Sequence, residues 1–149
     1  MRAVVQRVSQ ASVKVNNEIV GEIDNGLLVL LGVGKEDDTK DLDYMVEKVL
    51  GLRIFEDKQG KMNLSLMDIG GEILIISQFT LFGDVKKGKR PSFTESGDPE
   101  IAEKMYMQFI DKCIGKGVST EKGIFGADMK VNLTNDGPVT ILIDSKKTF

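Results

Sequence analysis

Glu72-Ile73-Leu74-Ile75-Ile76-Ser77-Gln78-Phe79-Thr80-Leu81-Phe82 decides how this chain is built. It begins as an unbroken apolar run, the pattern of a strand buried on both faces. Ser77, Gln78 and Thr80 then arrive together inside an otherwise apolar segment. A buried hydroxyl or amide without a partner costs about 1–3 kcal/mol. Three such groups at the end of a core strand point to a site where a ligand supplies the partners. The alternative is that neighbouring backbone or water satisfies them, as happens for most buried polar groups.

Upstream, residues 27–33 form a second candidate central strand. Before them, residues 2–9 and 11–15 read as strand, Asn16-Asn17 as a hairpin turn, residues 18–23 as the returning strand and Asp24-Asn25-Gly26 as another turn. From Thr39 onward Leu42, Met45, Val46, Val49 and Leu50 recur at helical spacing, with Asp38 or Thr39 as cap and Gly51 as the stop. Arg53-Ile54-Phe55 and residues 62–66 are short strands. Downstream, residues 83–97 make a loop of about 15 residues, long for a compact domain.

A second helix starts at Asp98 as cap with Pro99 in its first position. Ile101, Met105, Phe109 and Cys113 recur every fourth residue along it, with Ala102, Tyr106 and Ile110 alongside, and Gly115 and Gly117 stop it. Residues 118–120 form a short strand. Residues 127–134 alternate, Asn135-Asp136-Gly137-Pro138 is a turn, residues 139–143 are a last strand, and residues 144–149 are expected to fray. The sum is one α+β domain over residues 1–149, with antiparallel-rich sheets forming a barrel-like core and two helices.

Composition narrows the chemistry. There is no histidine, which removes Ser-His-Asp and Cys-His catalysis. With a single cysteine, Cys113, a zinc site is disfavoured and an intrachain disulfide is impossible. No metal and no cofactor is expected, and the cysteine usage fits a reducing cytoplasm. No apolar run approaches the ~20 residues of a membrane span, and the N-terminus lacks the apolar core of a signal peptide. Net charge is −3, so any nucleic-acid contact needs a local patch. Lys86, Lys87, Lys89 and Arg90, beside Phe93, are the candidate; a solvated charged loop is the other reading.

Gly137-Pro138 is the second feature of note. Only about 5–6% of X-Pro bonds in folded proteins are cis, so on sequence grounds this is an ordinary trans turn. A cis bond would turn the chain sharply and aim two carbonyls the same way, a receptor for an ammonium group that needs no ionisable side chain.

Gln6-Arg7-Val8, Arg53-Ile54-Phe55, Gly60-Lys61-Met62-Asn63, Ser77-Gln78-Phe79-Thr80-Leu81, Arg90-Pro91-Ser92-Phe93 and Asn135-Asp136-Gly137-Pro138-Val139-Thr140 together resemble the D-aminoacyl-tRNA deacylase family. The resemblance runs nearly the whole chain in order, with its two main motifs about 55–60 residues apart. It implies that Ser77, Gln78, Phe79 and Thr80 line the pocket. It also implies that Gly137 and Pro138 form a Gly-cisPro element lent to the partner's pocket in a homodimer, and that Arg7 supports that element. The implied substrate is a D-amino acid, or glycine, esterified to the terminal adenosine of tRNA. The products are free amino acid and free tRNA.

The residue inventory suits such chemistry. A threonine nucleophile needs a base, and none adjoins Thr80 in sequence. An aminoacyl ester on ribose carries a vicinal 2′-OH that can relay a proton to or from an attacking water, leaving positioning to the protein. Backbone N–H groups of Phe79 and Thr80 and the side chains of Gln78 and Thr80 are candidate oxyanion donors. With the ammonium on the Gly137 and Pro138 carbonyls and the ester carbon near Thr80, an L side chain would meet backbone while a D side chain points outward. Three rival readings stay open: Thr80 as a true nucleophile, a non-catalytic nucleic-acid-binding module using the 86–90 loop, and a purely structural dimer.

Overall fold

A computed structural model describes all 149 residues. The chain runs β1 (Arg2–Val15), β2 (Glu18–Ile23), β3 (Gly26–Gly32), α1 (Thr39–Gly51), β4 (Phe55–Glu56), β5 (Met62–Leu64), β6 (Glu72–Ser77), a 3-10 turn (Phe79–Phe82), α2 (Pro99–Gly115), β7 (Ser119–Lys122) and β8 (Lys130–Asp144). β1 is the spine. One edge pairs antiparallel with β3 along its first half and with β2 along its second, while the other edge pairs with β8. β6 adds in parallel to β3, and β7 in parallel to β6, so the sheet is mixed. β2 curls back toward β7: a Cβ on Gly21 would lie 2.7 Å from the Lys122 carbonyl oxygen. That contact closes the sheet toward a barrel, and only a residue without a side chain permits it.

The apolar runs of β3 and β6 are buried on both faces. Leu27, Val29, Leu31, Ile73 and Ile75 face α1 and α2, whereas Leu28, Leu74 and Ile76 fill the barrel interior with Val8, Ala11 and Val13. α1 starts in a reciprocal capping box between Asp38 and Asp41 and packs Leu42, Met45, Val46, Val49 and Leu50. α2 is capped by Asp98 with Pro99 in its first turn. Asn16 and Asn17 adopt positive φ of 50° and 65°, the backbone of a tight two-residue hairpin.

Five sequence expectations need correction. Residues 2–15 form one strand, not two, because register shifts absorb the irregularity near Ser9 without ending the ladder. The core strand expected to carry Ser77, Gln78 and Thr80 at its end stops at Ser77, and Phe79–Phe82 coils. Ile101 is exposed, so the buried stripe of α2 starts at Ala102. Residues 135–138 do not reverse the chain: β8 continues through them, and both of its halves pair with β1. The C-terminus is tied down rather than frayed. The Ser145 N–H donates to the Met1 carbonyl at 2.9 Å, Lys146 Nζ bonds Asp41 at 2.7 Å, and Arg2 pairs with Asp144 at 3.2 Å.

Candidate functional site

β6 delivers the polar motif to the end of the sheet. The Gln78 N–H donates to the Leu31 carbonyl at 2.8 Å, one residue past the β6 ladder, and the chain then coils. Ser77 and Gln78 are half-buried; Phe79 and Thr80 are exposed. Gln78 Nε2 donates to Thr80 Oγ1. Ser96 Oγ donates to the Phe79 carbonyl at 3.1 Å. The Phe79 ring meets Phe93 edge-on, centroids 5.1 Å apart. From below, Arg2 donates to the Leu81 carbonyl at 3.0 Å and stacks on Phe82. The coil is therefore held by three separate segments of the chain, which is what a positioned donor set requires.

Ser77, Gln78 and Phe79 rim an apolar cavity of about 270 Å³ whose walls include Tyr106, Phe125 and Met129. The chain's buried phenol and thiol are both silent. Burial pushes the Tyr106 phenol up to about 12, and its O–H is committed to the Ile75 carbonyl at 2.7 Å. Burial likewise pushes the Cys113 thiol up to about 12, so it packs as a small apolar residue. Tyr106, Phe125 and Met129 escape a sequence reading of the site, because Tyr106 sits on the apolar stripe of α2, Phe125 in a turn, and Met129 in the alternating run of residues 127–134. The signal available was an aromatic between glycines, Gly123 to Gly126.

Gly137 and Pro138 lie elsewhere. Their peptide bond is cis, against the sequence base rate and as the resemblance implied. Arg7 stands opposite Asp136 to Val139 of β8, donating from Nε to the Asp136 carbonyl at 3.0 Å and from Nη1 to the Ile54 carbonyl at 2.7 Å. Gly137 has φ of 134°, and a Cβ there would sit 2.8 Å from Val139 and 3.1 Å from Arg7. Ser77 faces Leu31, Leu31 faces Ala3, and Arg7 lies four residues further along β1. With three strand spacings across and four residues along, the two motifs of one chain are roughly 20 Å apart. A single chain does not bring them together.

Lys86, Lys87, Lys89 and Arg90 are all exposed and carry no carboxylate partner. Their loop is not structureless. Asp84 and Ser92 exchange backbone hydrogen bonds of 2.8 and 2.9 Å and pinch its base, so the cations sit at its tip.

Over all 149 residues, covering 100% of both chains, this chain is 59% identical to a protein of Thermosipho africanus and 58% identical to one of Clostridioides difficile. Both are named D-aminoacyl-tRNA deacylase, which sets the class as hydrolase. A solved structure described as "c-Myc DNA Unwinding Element Binding Protein" superposes with TM-score 0.91 at 46% identity, covering 97% of this chain and 98% of that one. One described as a probable eukaryotic D-amino acid tRNA deacylase shares the fold, with TM-score 0.80 at 21% identity over 95% of this chain and 97% of its own. The family model for D-Tyr-tRNA(Tyr) deacylase matches residues 4–144, and the chain belongs to that family. No helix is long and apolar enough to cross a membrane.

Proposed function

We propose that this chain hydrolyses the ester of D-aminoacyl-tRNA, and of glycyl-tRNA mischarged on an alanine tRNA, while rejecting L-aminoacyl-tRNA. The observation that carries the reading is Gln78 on the rim of an apolar cavity, its amide bonded to the Thr80 hydroxyl, in a chain without histidine. The cavity suits a flat base such as the terminal adenine of tRNA, which leaves the ester at the rim. Gln78, Thr80 and nearby backbone N–H groups polarise the ester carbonyl, and Ser77 and Phe79 shape the mouth. The neighbouring 2′-OH of the substrate relays the proton from the attacking water to the departing ribose oxygen as the ester C–O bond breaks.

The Gly137-Pro138 element completes the pocket from a second copy of the chain. The ~20 Å separation of the two motifs within one chain supports this, as does the β8 edge that pairs with no other strand. No side chain bonds the carbonyls of Gly137 or Pro138, which leaves them for the substrate ammonium. With the ammonium and ester carbon both fixed, an L side chain collides with main chain while hydrogen does not. The exposed cations at 86–90 hold acceptor-end phosphates.

The test is a deacylation assay on D- and L-tyrosyl-tRNA, repeated with a 2′-deoxy terminal adenosine. D turnover, L rejection and a large loss on the deoxy substrate are expected. Full-speed hydrolysis of the deoxy ester would remove the 2′-OH step; equal hydrolysis of the L ester would remove the filter. The basic loop and the neighbour at 46% identity described as binding a DNA element favour a second reading, a nucleic-acid-binding module without turnover. That reading predicts salt-sensitive binding and no ester cleavage.

A further inference from the structure

In β8 the four residues Asp136 to Val139 stand opposite one residue of β1, Arg7. This blister lacks the regular ladder that fixes a strand elsewhere. Side chains take over. Arg7 holds the Asp136 carbonyl. At the strand level Asn135 Oδ1 accepts the Val139 N–H at 3.0 Å, and Asn135 Nδ2 donates to Thr140 Oγ1 at 3.0 Å. The Thr140 hydroxyl also accepts from Gln6 Nε2 at 3.4 Å, and Gln6 and Thr140 are register partners. Asn135 therefore spans the blister from its first end to its last, and Thr140 anchors that span to β1.

We infer that Asn135, anchored through Thr140, is a positioning residue that sets the discrimination between D and L substrates. The inference rests on the reading of Gly137-Pro138 as the chiral filter. Its physical basis is an asymmetry between accepting and rejecting. A D substrate needs the Gly137 and Pro138 carbonyls within hydrogen-bond reach, which a loosened blister still visits. An L substrate is refused only by collision, and a collision vanishes once the backbone can yield. Loss of the clamp therefore admits the L ester before it abolishes turnover of the D ester.

The experiment compares Asn135→Ala, Asn135→Asp, Thr140→Val and Thr140→Ser in the full chain. It reads kcat/KM on D- and L-tyrosyl-tRNA and the hydrogen exchange of the Val139 amide. One lost hydrogen bond is worth up to about a factor of 10. Asn135→Ala should therefore speed Val139 exchange and lower the D/L ratio, each by about 10-fold. Asn135→Asp keeps the acceptor for the Val139 N–H, and the Thr140 hydroxyl can turn to donate to it, so it should restore both readouts. Thr140→Val should move both in the same direction by less, and Thr140→Ser should not; this pair decides the matter if Asn135→Ala does not fold. Unchanged exchange in Asn135→Ala overturns the clamp, and faster exchange with an unchanged D/L ratio overturns its role in discrimination. A wild-type chain that shows no D preference overturns the filter itself, and with it this role.

Discussion

Gln78 donates its side-chain amide to the hydroxyl oxygen of Thr80, two residues further on. An oxygen that already accepts keeps its own proton free to give, so Thr80 is set up as a donor to a developing oxyanion. A nucleophile needs the reverse, a base drawing that proton away. Thr80→Val should lower kcat by about 100- to 1000-fold with KM little changed, the range of one lost oxyanion donor. Thr80→Ser should keep most of the rate. Mass spectrometry of quenched reactions should find no acyl group on Thr80; an acyl-Thr80 ester would make it a covalent enzyme instead.

Arg7 is buried and its guanidinium serves two carbonyls, Ile54 and Asp136, on different segments. Hydrogen bonds from a charged group are worth about 1.5–3 kcal/mol each, and truncation strands both acceptors. Arg7→Ala should therefore destabilise the chain by about 3–6 kcal/mol, seen as a lower urea midpoint at unchanged m. Arg7→Lys reaches only one carbonyl and should recover about half of that. A variant with wild-type stability would show that the blister holds without this arginine.

The sequence was legible where one physical signal dominated. The all-apolar runs of β3 and β6 mark strands covered on both sides, and the Asp38 and Asp98 caps set the helix starts. It was misleading where side chains do the work of backbone. Asn135-Asp136-Gly137-Pro138 carries every mark of a reversing turn, yet Arg7 and Asn135 supply the bonds that let β8 run on through it. The C-terminal residues look polar and free, and distant partners, Met1, Arg2 and Asp41 among them, tie them down. The Ser77-Gln78-Thr80 triplet stands out in sequence through an expected cost of burial, yet Thr80 is exposed and Ser77 and Gln78 are half-buried, because β6 ends at Ser77. Its cavity walls at Tyr106 and Met129 come from segments no local pattern links to it.

Acid should loosen the chain through that same C-terminal tie. Burial would raise the Asp41 carboxyl, but bonds from Lys146, the Asp38 amide and Ser145 hold it well below the usual carboxylate range. Asp144 is lowered too: burial opposes this, and bonds from Thr148, the Lys146 amide and Arg2 outweigh it. Unfolded carboxyls take up protons near pH ~4 while the folded ones resist, so the unfolded state gains protons first and stability falls with pH there. Lys146 is raised, mainly by its bond to Asp41, so its contribution holds below pH ~10.4 and is lost above. With no histidine to titrate, Tm should stay nearly flat from about pH 5 to 8 and fall below about pH 4. Asp41→Asn should lower Tm at neutral pH and shallow the acid decline; an unaltered profile would assign the acid sensitivity to other carboxylates.

The four cations at 86–90 face solvent and none forms an ion pair, on a loop whose base is pinched by Asp84 and Ser92. Asp84 spends its side chain on the Lys86 amide, at 2.8 Å, rather than on any of the four charges. Unpaired charge on an ordered tip is suited to phosphate, and each phosphate contact releases counterions on binding. A contact adds about 0.7–0.9 to the slope of log affinity against log salt. Replacing Lys86, Lys87, Lys89 and Arg90 together by Gln should raise KM for the charged tRNA and flatten that slope by roughly 3. The kcat at saturation should remain, since none of the four joins the donor set around Thr80. A slope unchanged by the fourfold replacement would make this loop a solvated surface and move the phosphate contacts elsewhere on the chain.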